Sequence, residues 1–136
     1  MGEKILLVDD NKIMRDVLRS FLARQPGLEV VAEAENGCTA IKLTRKFRPD
    51  VIVMDIIMPD LNGIDATRKI VEEFPGTKVI ALSGHSDRQF VVGMFKAGAL
   101  GYLLKDCVLD ELVPAIRAVL NNQTYLSSKL ARRDAL

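Results

Sequence analysis

Asp9, Asp10, Asp55, Ser83 and Lys105 all stand where an apolar run stops. Ile5-Leu6-Leu7-Val8 ends in Asp9-Asp10, and Val51-Ile52-Val53-Met54 ends in Asp55. Val79-Ile80-Ala81-Leu82 ends in Ser83, and Tyr102-Leu103-Leu104 ends in Lys105. Singly, each has a plain explanation. Asp10 is a good helix cap, Ser83 suits a turn, and Lys105 suits a surface. Asp55 is harder to place, because no helix signal adjoins it. Together they put three carboxylates, a hydroxyl and an ammonium at the ends of four strands. Two carboxylates about 4 Å apart repel by about 4 kcal/mol at an effective dielectric of roughly 20. Such a cluster raises the pKa of its members or recruits a cation. All-oxygen donors without His or Cys suit Mg²⁺, with Mn²⁺ as an alternative, rather than zinc. Mg²⁺ completes its shell with phosphate oxygens, and Lys105 and Ser83 supply a positive charge and a donor for the rest. No phosphate-binding glycine loop occurs, so a tightly held nucleotide is not expected. A carboxylate nucleophile at Asp55, forming an aspartyl-phosphate, is the economical chemistry.

The elements between these residues decide whether they meet. Ile13, Met14, Val17, Leu18, Phe21 and Leu22 recur with helical spacing after the first strand, and Pro26-Gly27 ends that helix. Leu28 to Ala34 reads as a second strand, and Asn36-Gly37 opens a second helix that stops before Arg48-Pro49. Strand three, Val51 to Met54, leads into the turn-rich loop Met58-Pro59-Asp60-Leu61-Asn62-Gly63. A helix from Ile64 to Phe74 and a strand from Lys78 to Leu82 follow. Ser86 and Gln89 have capping-box spacing at the start of a fourth helix. Strand five is Leu100 to Leu104, and the last helix buries Leu112, Val113, Ile116, Val119 and Leu120. Alternating strands and helices, with the strands nearly all apolar, imply a doubly wound α/β domain with a five-stranded parallel sheet covered on both faces. In such a sheet the carboxyl ends of the strands form the ligand-binding edge.

Bulk properties narrow the function. A chain of 136 residues that is 49% hydrophobic is one globular domain rather than a disordered segment. A net charge of +1 gives no footprint for direct nucleic-acid contact. Cys38 and Cys107 lack metal or redox spacing and read as reduced packing residues. No run approaches the roughly 20 apolar residues of a membrane span, and a cytoplasmic protein is expected.

The chain resembles the receiver domain of bacterial two-component response regulators. The residues that carry the resemblance are Asp9-Asp10, Asp55 with Met58-Pro59 and Gly63, Ser83-Gly84, Ala97-Gly98-Ala99 and Gly101-Tyr102-Leu103-Leu104-Lys105. It implies a flavodoxin-like sheet of strand order 2-1-3-4-5, the order that doubly wound folds such as the chemotaxis receiver exemplify. It also implies that Asp55 accepts a phosphoryl group from a sensor histidine kinase. Asp9, Asp10, Asp55 and the backbone carbonyl of Ile57 would then hold Mg²⁺. Lys105 and Ser83 would contact the phosphoryl group, Gly84 would leave room for it, and Ser83 with Tyr102 would form the switch. The output face implied is that of helix four, strand five and helix five. No turnover chemistry is implied beyond gain and loss of the domain's own phosphoryl group.

Residues 1–120 would be the receiver and 121–136 a linker. Gly101 to Asp106, the helix around Glu111 to Val119, and Tyr125-Leu126-Ser127 resemble the subfamily with a C-terminal LuxR-type helix-turn-helix output domain. That resemblance implies transcription control, a DNA-binding partner domain, and a possible homodimer on phosphorylation. A free-standing receiver acting on a partner protein is the alternative. A dehalogenase-type phosphatase wants a second Asp where Ile57 stands. A flavodoxin-like electron carrier would bring its phosphate against Asp9-Asp10.

Overall fold

The computed structural model describes residues 2–134. Six parallel strands lie in the order β2-β1-β3-β4-β5-β6. They are β1 (Glu3–Val8), β2 (Leu28–Ala34), β3 (Val51–Met54), β4 (Lys78–Ser83), β5 (Gly101–Leu104) and β6 (Tyr125–Leu126). The helices are α1 (Lys12–Ala23), α2 (Gly37–Phe47), α3 (Gly63–Glu73), α4 (Arg88–Ala97), α5 (Val108–Leu120) and α6 (Ser128–Asp134). The five strands are as the sequence predicts, their order is the one the resemblance implies, and β6 adds a sixth at the edge.

Strand alternation builds two cores. Leu6, Val8, Ile52, Met54, Val79, Ala81 and Tyr102 face one side with Ala66 and Ile70 of α3 and Met94 of α4. Ile5, Leu7, Val51, Val53, Ile80, Leu82 and Leu103 face the other, against Leu18 and Leu22 of α1 and Leu112, Ile116 and Val119 of α5. Burial on both faces is why these strands show no polar alternation. The parallel register Val8↔Met54 and Ser83↔Leu104 brings the next residues, Asp9, Asp55, Gly84 and Lys105, to one edge.

Four local expectations change. The first helix turns differently: Leu18 and Leu22 are buried with Arg15, whereas Ile13 is 76% and Val17 43% exposed. Asn11, not Asp10, caps it, accepting from the Ile13 and Met14 N–H groups at 2.9 and 3.2 Å. Asp87 takes the cap position of α4 without a side-chain bond, so the Ser86–Gln89 capping box does not form. Cys38 is exposed rather than packed.

Residues 121–136 include more than a tether. Glu111, buried on α5, accepts from the Ser127 hydroxyl at 2.7 Å, the Tyr125 hydroxyl at 2.9 Å and the Ser128 N–H at 3.0 Å. The Ser127 N–H donates to Tyr102 O at 2.9 Å, and Leu130 is buried in the same core as Tyr102. The chain thus covers the edge of β5 with its own segment. Glu111→Ala leaves those donors unpaired, at about 1–3 kcal/mol for each buried one. Hydrogen exchange at the Tyr125 and Ser127 amides speeds up in this variant, while β1 to β4 stay protected. Unchanged exchange at both amides counts against a Glu111 clasp.

Candidate functional site at the carboxyl edge of the sheet

Asp9 and Asp55 are placed by backbone pairing. The Asp9 N–H donates to Ala34 O of β2 at 3.0 Å, and the Asp55 N–H donates to Val8 O of β1 at 2.9 Å. These bonds extend the strand ladders by one residue past the apolar run and bring the carboxylates side by side. Carboxylate oxygens of Asp9, Asp10 and Asp55 lie within 4.8 Å of one another, with Asp10 exposed and the other two buried. Asp9 Oδ1 accepts from the Asn11 N–H at 2.9 Å, and Asp55 Oδ1 from the Ile56 N–H at 2.9 Å. The remaining oxygens face Lys105. Its ammonium lies 3.0 Å from Asp9 Oδ2 and 3.5 Å from Asp55 Oδ2. Asp9 Oδ2 is fully buried and accepts no aligned hydrogen bond, so it meets Lys105 as an ion pair only.

One ammonium does not balance three carboxylates. Burial first and the Asp9 charge second push the Asp55 carboxyl up from its ordinary 3.8 to about 7, against the pull of Lys105 and the Ile56 N–H. Burial alone would lower Lys105, but Asp9 and Asp55 beside it raise it on balance. A buried oxygen without an aligned donor, within reach of two further carboxylates, fits a hard divalent cation.

The loop after Asp55 is set by a close backbone approach. The Gly63 N–H donates to Ile56 O at 2.7 Å, and a Cβ on Gly63 would lie 2.0 Å from Asp55 O. Gly37 of α2 packs similarly, its N–H on Leu61 O at 3.2 Å. Ile57 projects from this loop 52% exposed.

Ser83 and Tyr102 join the site through one peptide segment. Ser83 Oγ accepts from the His85 N–H at 3.0 Å, and the Tyr102 hydroxyl donates to His85 O at 2.7 Å. Both side chains are fully buried, and burial raises the Tyr102 pKa. Gly84, between them, is exposed, and a Cβ there would meet nothing within 4 Å. The sequence marks Ser83 and Tyr102 singly but contains no sign that they hold opposite ends of the same residue. Arg15 and Glu111 also escape notice, because buried charges on amphipathic helices look like solvated ones until their partners are known.

Residues 5–117 match the response regulator receiver domain family. The chain belongs to that family. It is 41% identical over 127 residues to the transcriptional regulatory protein DegU of Brevibacillus brevis, covering 93% of this chain and 54% of that protein. It is 39% identical over 132 residues to the response regulator UvrY of Escherichia coli strain K12, covering 97% of this chain and 61% of that one. The chain therefore spans little more than half the length of these relatives. A two-component response regulator of the LuxR family from Aurantimonas sp. SI85-9A1 has the same fold. Its TM-score is 0.93 at 37% identity, covering 99% of this chain and 96% of that structure. This receiver domain thus has relatives that regulate transcription. No helix among its described residues is long and apolar enough to cross a membrane.

Proposed function

We propose that Asp55 is the phosphoacceptor of a Mg²⁺-dependent switch. The observation that carries this is a buried carboxylate within 4.8 Å of the Asp9 and Asp10 carboxylates and 3.5 Å from the Lys105 ammonium. Mg²⁺, held by Asp9, Asp10, Asp55 and the Ile57 carbonyl, would neutralise the phosphoryl oxygens and return Asp55 to its nucleophilic anion; Mn²⁺ is the alternative ion. An Asp55 carboxylate oxygen attacks phosphorus, an acyl-phosphate bond forms, and the bond to the donor breaks. The donor in the cell is a phosphohistidine on a sensor kinase, whose imidazole leaves. Lys105 exchanges its ion pair with Asp55 for one with a phosphoryl oxygen, which leaves the ammonium compensated.

Ser83 is the donor for a further phosphoryl oxygen, next to the open position at Gly84. To reach it, the Ser83 hydroxyl gives up the His85 N–H, and this biases the segment that Tyr102 holds from the other side. The change is a population shift limited by the difference in affinity between the two arrangements. Through the segment 121–136 the shift passes to a C-terminal DNA-binding domain, with homodimerisation a further consequence.

Intact mass after incubation with Mg²⁺ and acetyl phosphate tests the assignment. One added phosphoryl group is expected on the wild type, and none on Asp55→Asn or after EDTA. An adduct that survives in Asp55→Asn moves the chemistry to another residue.

A further inference from the structure

Arg15 is a buried cation that the phosphoryl chemistry does not use. Its side chain is 8% exposed, yet it stands on α1 among charged neighbours. One terminal nitrogen donates to the Asp9 backbone carbonyl at 2.6 Å, and Nε donates to Glu33 at 3.1 Å. The other terminal nitrogen lies 3.6 Å from Glu35. The guanidinium fork therefore binds the acidic end of β2 with two arms and the peptide joining Asp9 to Asp10 with the third.

We infer that Arg15 is a positioning residue for the cation site, acting through the Asp9 carbonyl. This rests on the proposed Mg²⁺ reading. The peptide between Asp9 and Asp10 directs the two carboxylates that differ most in burial, one enclosed beside Lys105 and one exposed. The Asp9 N–H is already bound to β2, and its Oδ1 to the Asn11 N–H. The carbonyl is the remaining polar group of the residue that α1 can hold, and Arg15 holds it. That bond restrains the peptide from which Asp10 emerges, within 4.8 Å of the Asp55 carboxylate. The charge of Arg15 is matched by Glu33 and Glu35, so it acts on the site by geometry more than by its field. Arginine suits this place because its rigid planar fork donates to two acceptors and pairs with Glu35 from one fixed stem, where an ammonium is a compact point charge on a flexible one.

The sign of the effect separates geometry from charge. Deleting a cation near a cation site strengthens Mg²⁺ binding if only the field matters. Deleting a positioning group weakens it, by about tenfold or more for such supporting contacts. Arg19 is the internal control: it also pairs with Glu33 and with Asp16, but has no bond to Asp9. Mg²⁺ is titrated calorimetrically into wild type, Arg15→Met and Arg19→Met, and each metal-free variant is also melted. Arg15→Met is expected to lose about tenfold or more in Mg²⁺ affinity, and Arg19→Met to match wild type or bind slightly tighter. Arg15→Lys, which keeps the charge and one donor, should recover part of the loss; it is also the variant to read if Arg15→Met does not fold. Unchanged or tighter binding in the Arg15 variant overturns the inference and leaves the Mg²⁺ reading intact. Equal losses in the Arg15 and Arg19 variants overturn it too, because the network rather than the Asp9 bond would then be responsible. Absence of Mg²⁺ binding in wild type removes the site itself and the inference with it.

Discussion

Asp55→Asn is expected to be more stable than wild type in EDTA at pH 8, with an advantage that fades as the solution is acidified toward pH 4. Asp55 is 6% exposed, and burial followed by the Asp9 charge lifts its carboxyl to about 7. In the unfolded chain the group titrates near its ordinary 3.8. Between those values the native state binds the proton more tightly than the unfolded state does. The raised pKa therefore contributes stability that is full below pH 3.8 and is lost as pH rises through about 7. At about 1.4 kcal/mol per unit the loss is on the order of 4 kcal/mol, an upper bound for so coupled a cluster. Asparagine has nearly the same shape and carries no charge, so it escapes this loss. Mg²⁺ opposes this difference, because the variant has lost one of the carboxylates: a ligand at about a thousand times its Kd adds about 4.1 kcal/mol to the state that binds it, which offsets a loss of that size, and more Mg²⁺ reverses the order. Urea unfolding of both proteins across this pH range, with and without Mg²⁺, reads the crossing. A wild type at least as stable as Asp55→Asn at pH 8 in EDTA would mean that Lys105 outweighs burial and Asp9 together.

Gly63→Ala is expected to lose about 3 kcal/mol or more and to disable the site in whatever fraction remains folded. The reason is contact, since Gly63 is not among the residues with positive φ. An added Cβ would stand 2.0 Å from Asp55 O and 2.8 Å from Ile56 Cα, and neither atom is on a side chain that can rotate away. Overpacking costs about 1–3 kcal/mol where side chains can yield, and more where they cannot. Relief requires moving the backbone of the phosphoacceptor or of the loop carrying Ile57. Gly76→Ala is the control, because a Cβ there meets nothing within 4 Å and the effect should stay within about 0.5 kcal/mol. A lower urea midpoint for Gly63→Ala alone, with no phosphoryl adduct from acetyl phosphate, is the expected pair of results. Midpoints that agree for the two variants would contradict this account of the loop.

The elements of this domain could be read from the chain because each is periodic within itself. A buried parallel strand is a short apolar run bounded by polar residues, and four such runs stand out; β2, with Glu29 and Glu33 inside it, is the less buried fifth strand. The group at the end of each run, Asp9, Asp55, Ser83 or Lys105, was legible for the same reason. The rotation of α1 was not legible. Ile13 and Val17 extend an apolar stripe that the sheet does not cover, while Arg15 is buried because its partners, Asp9 and Glu33, lie on other elements.

The sequence by itself determined which side chains stand at the strand ends and that the strands lie parallel. Tertiary structure alone decided that Lys105 lies 3.0 Å from Asp9, that Ser83 and Tyr102 share His85, and that Tyr125-Leu126 adds a strand clasped by Glu111. The division follows from range: periodicity records what one element buries, whereas charges and hydroxyls are matched between segments that only the folded chain brings together.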